Sequence, residues 1–179
     1  MALWKDWFGG RKEENTVPDR LFNAIMSQAL QPKFFGSGMI SDTFGGRFEI
    51  TTIHAMLVFR RLRSAGEYGP QLAQDVFALL FSGFDDALRE IGTGDLKVGK
   101  KIKDIAKAFY GRAESYDAAL DEDLTAEPDP LVDVLMRNVQ LTSDGSERLA
   151  HYIRDADAIL KSLTDDELLS GTVSWPTTL

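Results

Sequence analysis

The sequence predicts an all-α protein, a single compact bundle of about six to seven helices, and three observations carry that expectation. Apolar residues recur at three- and four-residue spacing along most of the chain, the period of an amphipathic helix. No stretch keeps up the strict alternation of a half-buried strand. At 179 residues and 44% hydrophobic content, with no cysteine, the chain has the length and apolar content for one core without disulfide staples.

The elements follow in order. Asn15, Thr16 and Pro18 mark a helix start, and Leu21, Phe22, Ile25, Met26 and Leu30 form its stripe up to Pro32. Residues 33–46, with four glycines, read as an ordered loop whose Phe34, Phe35, Met39 and Ile40 are too apolar to be left in water. From Phe48 to about Arg63 the pattern is apolar on two sides, which places that helix in the middle of the domain. After a turn at Gly66–Gly69 with Pro70, a helix runs to about Ile91 through Leu72, Val76, Phe77, Leu80, Phe84 and Leu88. Asp95 is read as the N-cap of the next helix, with Val98, Ile102, Ile105, Phe109, Ala113 and Tyr116 on its apolar side. Asp129-Pro130 starts another helix, Asp144 with Glu147 reads as the capping box of a last long one, and Thr164-x-x-Glu167 starts a final turn. The resulting division is an aromatic N-terminal segment (1–17), a helical domain (18–163), and a short final turn with a loose tail (164–179).

Composition excludes several kinds of chemistry. Without cysteine there is no thiolate metal site and no thiol nucleophile, and His54 and His151 share no metal-binding spacing, so no metal, cofactor or catalytic residue is expected. Residues 1–112 carry 16 basic and 13 acidic side chains, whereas residues 113–179 carry 4 and 15, so a body of +3 is joined to an acidic third of −11. That balance disfavours sequence-specific nucleic-acid binding. The uncharged run VFALLFSGF between Asp75 and Asp85 is far short of the roughly 20 apolar residues of a membrane span. No secretory or organelle targeting pattern is evident at the N-terminus, so the chain reads as cytosolic. Trp4, Trp7 and Phe8, with Leu3, group on one side of a helical turn and read as a docking element, either on the body of the protein or on the bilayer surface.

Two constellations resemble catalytic motifs. Gly94-Asp95-Leu96-Lys97-Val98-Gly99-Lys100 matches the GxxxxGK part of a phosphate-binding loop, but Lys101 replaces the magnesium-binding hydroxyl and a helix precedes it. A nucleotide-binding protein or small hydrolase using Gly94–Lys101 and His54 is therefore the alternative reading. His54 lies about 140° around the helix from Glu49, so the two do not form an oriented pair, and a structural histidine is the simpler account. The lysine face Lys97, Lys100, Lys103 and Lys107 reads as solvated. Arg112, at the border of the apolar stripe, must instead find an acceptor, with Asp42, Glu49 and Glu90 as candidates.

Specific strings then occur in order: Asp42-Thr43-Phe44-Gly45-Gly46-Arg47-Phe48, Ile53-His54, Arg60-Arg61-Leu62-Arg63, Leu88-Arg89-Glu90-Ile91-Gly92-Thr93-Gly94-Asp95, Val98-Gly99-Lys100 and Phe109-Tyr110-Gly111-Arg112. Together, over roughly residues 18–120, they resemble the ubiquinol-cytochrome c chaperone family. The resemblance implies an all-helical, non-enzymatic assembly factor for ubiquinol-cytochrome c reductase that binds newly made cytochrome b. It also implies contact with the ribosome or with the cytoplasmic face of the inner membrane. Asp42, Arg47, His54, Arg89, Glu90, Asp95, Lys100, Tyr110 and Arg112 match the family strings, and with Lys103 they are the candidate client-binding residues. The loop 34–46 and the segment 92–112 are where a client surface is expected.

Overall fold

A computed structural model describes residues 15–122, 128–139 and 141–179 of the chain. Among the described residues there are seven α-helices: α1 (Val17–Ala29), α2 (Phe44–Leu62), α3 (Gly69–Glu90), α4 (Asp95–Asp121), α5 (Pro130–Val139), α6 (Ser143–Ser162) and α7 (Asp165–Leu169). A 3-10 turn at Pro32–Phe34 follows α1, and the described residues contain no strand beyond an isolated bridge between Phe35 and Ile40.

The bundle is organised around α2, which packs against α1, α3, α4, α5 and α6. Every residue from Phe48 through Val58 is buried. A helix apolar on two sides has no solvated face to offer, so its neighbours surround it. The shorter helices keep one-sided burial, as in α1, where Leu21, Phe22, Ile25, Met26 and Ala29 point inward.

Several starts differ from the sequence expectation. Helix α2 begins at Phe44, not Phe48, because the Thr43 hydroxyl accepts the Gly46 amide at 3.1 Å and caps the helix. Gly46, read as part of the loop, serves packing here: a Cβ on it would lie 2.0 Å from the Ser41 carbonyl oxygen. Gly94, not Asp95, precedes α4, and the Asp95 carboxylate accepts from Arg89 at 2.5 Å. Thr142, not Asp144, caps α6, its hydroxyl accepting from the Gly145 amide at 3.1 Å and donating to the Gly38 carbonyl at 3.2 Å. The expected starts hold at α1, where the structure adds a capping box of Thr16 and Asp19, and at α7, where Thr164 and Glu167 form one.

The tail after α7 is not loose. Gly171, at φ 87°, turns it against Arg20, and Trp175 brings its ring to 4.9 Å from that of His54. The Pro176 carbonyl accepts from Lys33 Nζ at 3.0 Å. A tryptophan near the end of a chain has apolar area to bury, and the gap between α1, α2 and α6 receives it.

His54 sits at the centre of this region with no solvent exposure. Its Nδ1 donates to the Ile50 carbonyl at 2.8 Å, and its Nε2 accepts from the Tyr152 hydroxyl at 2.8 Å, which in turn accepts from Gln28 Nε2 at 2.8 Å. Burial holds the imidazole neutral and lowers its pKa to about 4, the Ile50 hydrogen bond opposing the shift and the nearby Lys33 charge adding to it. The unfolded chain, with an ordinary histidine, takes up the proton first. Stability is therefore full above about pH 6.5 and falls as the pH drops toward 4. Denaturant midpoints measured from pH 7.5 to 4 should fall over this window. In a His54→Leu variant that part of the fall should be smaller by on the order of 2–3 kcal/mol, whatever its stability at pH 7.

Candidate functional site

The helices bring the candidate residues to several separate places. Near the start of α2, Arg47 makes a two-point contact with Asp42, Nε to Oδ1 at 2.5 Å and a terminal nitrogen to Oδ2 at 2.9 Å, and its guanidinium stacks 5.3 Å from the Phe35 ring. This pair fastens the loop 34–43 to the helix that follows it. At the α3–α4 turn Arg89 bridges Asp85 and Asp95, at 2.6 and 2.5 Å, and Glu90 is exposed beside it. His54 is a core residue. Lys100 and Lys103 are exposed on α4. The string Gly94–Lys101 is helical from Asp95 onward, so the GxxxxGK spacing makes no loop around a phosphate.

Arg112 finds the acceptor its position required. Its Nε donates to Glu49 Oε1 on α2, and its guanidinium lies 5.6 Å from the Phe48 ring. Glu49 is 5% exposed. Burial raises its pKa while the Arg112 charge and hydrogen bond pull the other way, and its Oε2 has no hydrogen-bond partner among the described residues. The pair therefore ties α4 to α2 at a cost in desolvation that Arg112 chiefly offsets, with Tyr116 adding to it.

A second arginine junction, inside the Arg60-Arg61-Leu62-Arg63 string but not among the candidate residues, lies further along α2. Arg60 bonds Asp117 at 2.5 Å, bonds Asp121, and approaches Asp157 of α6 at 3.3 Å. The hydrogen bond to Asp121 is the first cause of its raised pKa. The neighbouring Arg61 turns the other way, donating to the Leu163 carbonyl and to Asp165 at 2.7 and 2.6 Å. The acidic residues of the C-terminal third thus serve in part as acceptors for the arginines of α2.

Between α2 and α4 this junction borders a groove of about 350 Å³. Met56, Phe59, Phe109 and Ala113 are its apolar lining, and Arg60, Arg63, Glu114 and Asp117 are its polar lining. Tyr110, 60% exposed, stands at its edge. On the other side of Tyr110 is α3: Phe77 stacks on the Tyr110 ring at 5.4 Å and on Phe81 at 4.3 Å, and both phenylalanines are only half-buried. An aromatic surface with polar groups along one side is the form a site for an apolar helix takes. Of the residues expected to contact a client, Tyr110 alone lines this groove. Phe59, Phe77 and Phe81 were legible as aromatics at helical spacing, but periodicity alone assigns such residues to the core. Trp4, Trp7 and Phe8 lie outside the described residues.

The Arg112–Glu49 pair gives a stability test. Arg112→Ala should lower stability by about 2–4 kcal/mol, below the range of a wholly buried pair because the Arg112 side chain is 30% exposed, and Lys103→Ala should change it by less than about 0.5 kcal/mol. Combining Arg112→Ala with Glu49→Gln should recover part of the loss, since the stranded carboxylate goes with its partner. Chemical denaturation of the three variants measures this.

The family model described as ubiquinol-cytochrome C chaperone matches residues 38–175. The match thus continues through the C-terminal third, past the residue-120 limit read from the strings, and takes in Asp117, Tyr152, Asp157 and Trp175, the partners of α2. Ubiquinol-cytochrome c reductase complex assembly factor 1 from Mus musculus is 24% identical over 161 residues, 87% of this chain and 53% of that protein. The Homo sapiens protein of the same name is also 24% identical, over 52% of its length. The chain spans about half the length of these curated relatives. A crystal structure of the Cbp3 homolog from Brucella abortus superposes with a TM-score of 0.79 at 30% identity, covering 89% of this chain and 88% of that one. The run from Gly38 to Trp175, with its central helix and the partners that satisfy it, belongs to the ubiquinol-cytochrome c chaperone family.

Proposed function

We propose that the protein is a non-enzymatic chaperone that captures newly made cytochrome b and holds it for assembly into ubiquinol-cytochrome c reductase. The observation that carries the reading is the aromatic groove between α2 and α4, extended by Phe77 and Phe81 of α3. A client about to enter a membrane complex exposes apolar helix surface, and half-exposed rings offer it area and stacking at small entropic cost. Arg60, Arg63 and Asp117 beside the groove give its polar side a fixed charge pattern, which sets the register of the bound segment. Among the described residues no group of three or more His, Cys, Asp or Glu side chains is placed to hold a metal ion, and the one buried histidine is committed to Ile50 and Tyr152.

The proposed place of work is the bacterial cytoplasm, against the cytoplasmic face of the inner membrane or the ribosome, where a nascent membrane protein first becomes available. No described helix is long and apolar enough to cross a membrane. The exposed lysines Lys97, Lys100, Lys103 and Lys107 form a positive face on an otherwise acidic protein, which suits contact with anionic lipid or ribosomal RNA backbone without sequence reading.

Capture of tagged cytochrome b, co-expressed and solubilised in mild detergent, tests the groove. Tyr110→Glu should reduce capture about tenfold while leaving the melting temperature within a few degrees, because that ring is mostly exposed. Lys103→Ala should leave capture unchanged. Unimpaired capture by Tyr110→Glu would remove the groove from the proposal, and stabilisation by magnesium nucleotide that disappears with Lys100→Ala would favour the nucleotide-binding alternative.

A further inference from the structure

The geometry points to a phosphate-group site in a second cleft, between α4 and the C-terminal end of α5, where Arg112, Lys107 and Asn138 hold the phosphate oxygens. The site is separate from the Tyr110 groove and does not depend on the function proposed above.

The cleft encloses about 410 Å³ and is lined by Asp104, Lys107, Ala108, Gly111, Arg112 and Asn138. The five residues from α4 follow one another at steps of three, one, three and one, so they share one face of the helix. That face is about 160° round from the residues α4 gives to the other groove, Phe109, Tyr110, Ala113, Glu114 and Asp117.

Arg112 supplies the first observation, because its guanidinium is fixed on one edge and unused on the other. Its Nε is given to Glu49, and the group lies 5.6 Å from the Phe48 ring. The side chain lines the cleft and is 30% exposed, and its two terminal nitrogens have no hydrogen-bond partner among the described residues. A guanidinium clamped in this way presents a preformed pair of donors to an oxyanion. Lys107 is exposed on the same face and pairs with no acid among the described residues, and Lys100, seven positions earlier, continues the positive side. Asp104, the acid of the lining, is exposed and screened by water. A carboxylate offers two oxygens, which the Arg112 edge alone satisfies. A phosphate has further oxygens for the Lys107 ammonium and the Asn138 amide.

Gly111 supplies the second observation. It sits inside a 27-residue helix, where glycine is less favourable than alanine, yet a Cβ built on it meets nothing within 4 Å. At Gly46, Gly69 and Gly145 a Cβ would strike a backbone carbonyl, so the fold itself requires those glycines. No neighbour requires Gly111. The space it keeps open is the cleft beside Arg112, and a departure from local preference with no internal reason is the mark of a position kept for a ligand.

Inorganic phosphate titrated into the full chain at pH 7.5, with ionic strength held constant by sodium chloride, tests the site. The Gly111 amide and Arg112 Nε–H resonances should shift saturably, and acetate at the same concentration should shift them several-fold less. Lys107→Ala should weaken phosphate binding about tenfold, and Lys103→Ala, on the side of α4 toward Tyr110, should leave it unchanged. Arg112 is left in place because it holds α4 to α2. Gly111→Ala is the sharper test: without phosphate its melting temperature should rise by about 2–4 °C, while its phosphate affinity falls about tenfold. A shift that does not saturate, equal weakening in Lys103→Ala and Lys107→Ala, unchanged affinity in Gly111→Ala, or a lower melting temperature in that variant overturns the proposal. Sedimentation with phosphatidylcholine vesicles containing phosphatidylglycerol then separates the two sources of the group. Vesicle binding that inorganic phosphate competes away and Gly111→Ala abolishes assigns the site to a lipid headgroup. Vesicle binding that is absent, or intact in Gly111→Ala, beside a saturable phosphate shift assigns it to a soluble phosphate compound.

Discussion

The central helix α2 has no solvent face from Phe48 to Val58, so every polar side chain it carries there must be satisfied from another element or from its own backbone. Thr52 turns its hydroxyl back to the Phe48 carbonyl at 2.8 Å. Glu49 takes Arg112 of α4, and His54 takes Tyr152 of α6. Just beyond the buried stretch, Arg60 takes acids of α4 and α6, and Arg61 takes Asp165 of α7. Each of these contacts fixes one neighbouring helix in register along α2, which apolar packing alone specifies less sharply.

The same constraint separates the motif residues that hold the fold from those free to meet a partner. Arg47, His54, Arg89 and Arg112 each have a named intramolecular acceptor or donor, and their partners lie on other elements or at the joints between elements. Tyr110, by contrast, exposes most of its ring, and the groove it edges is lined on one side by the very arginine that binds α4 and α6 to α2. The client surface proposed here is therefore built on a rigid floor. Movement at Arg60 would disturb both the bundle and the groove, which couples binding to the integrity of the acidic C-terminal helices.

Charge asymmetry acquires a structural meaning in this arrangement. The excess of acid after residue 112 is not a separate tail. Asp117, Asp121, Asp157 and Asp165 are spread over α4, α6 and α7 and converge on Arg60, Arg61 and Arg63 near the C-terminal end of α2. Asp117 stays below the usual carboxylate range although burial works against it, because Arg60 and Arg63 both donate to it. The lysines of α4 point away from this junction and stay in solvent.

The sequence by itself determined the number and rough limits of the helices, the central place of α2, and the need of Arg112 for an acceptor, because helical periodicity and the cost of an unpaired charge are local properties of the chain. The ordered strings also determined the family. What only the tertiary structure decided was which residues meet across helices. That Glu49 and not Asp42 answers Arg112, that Thr142 caps α6 while touching Gly38, and that Trp175 leaves the expected loose tail to pack on His54 all depend on contacts between residues dozens to more than a hundred positions apart. The groove is of the same kind. Phe59, Phe77, Phe81 and Phe109 carry the spacing of core residues, and the spacing is silent on the fact that three helices meet at an angle that leaves some of those rings half covered. A one-dimensional pattern records which side of a helix is apolar, whereas how much of that side a neighbour covers is set by the neighbour's position in space.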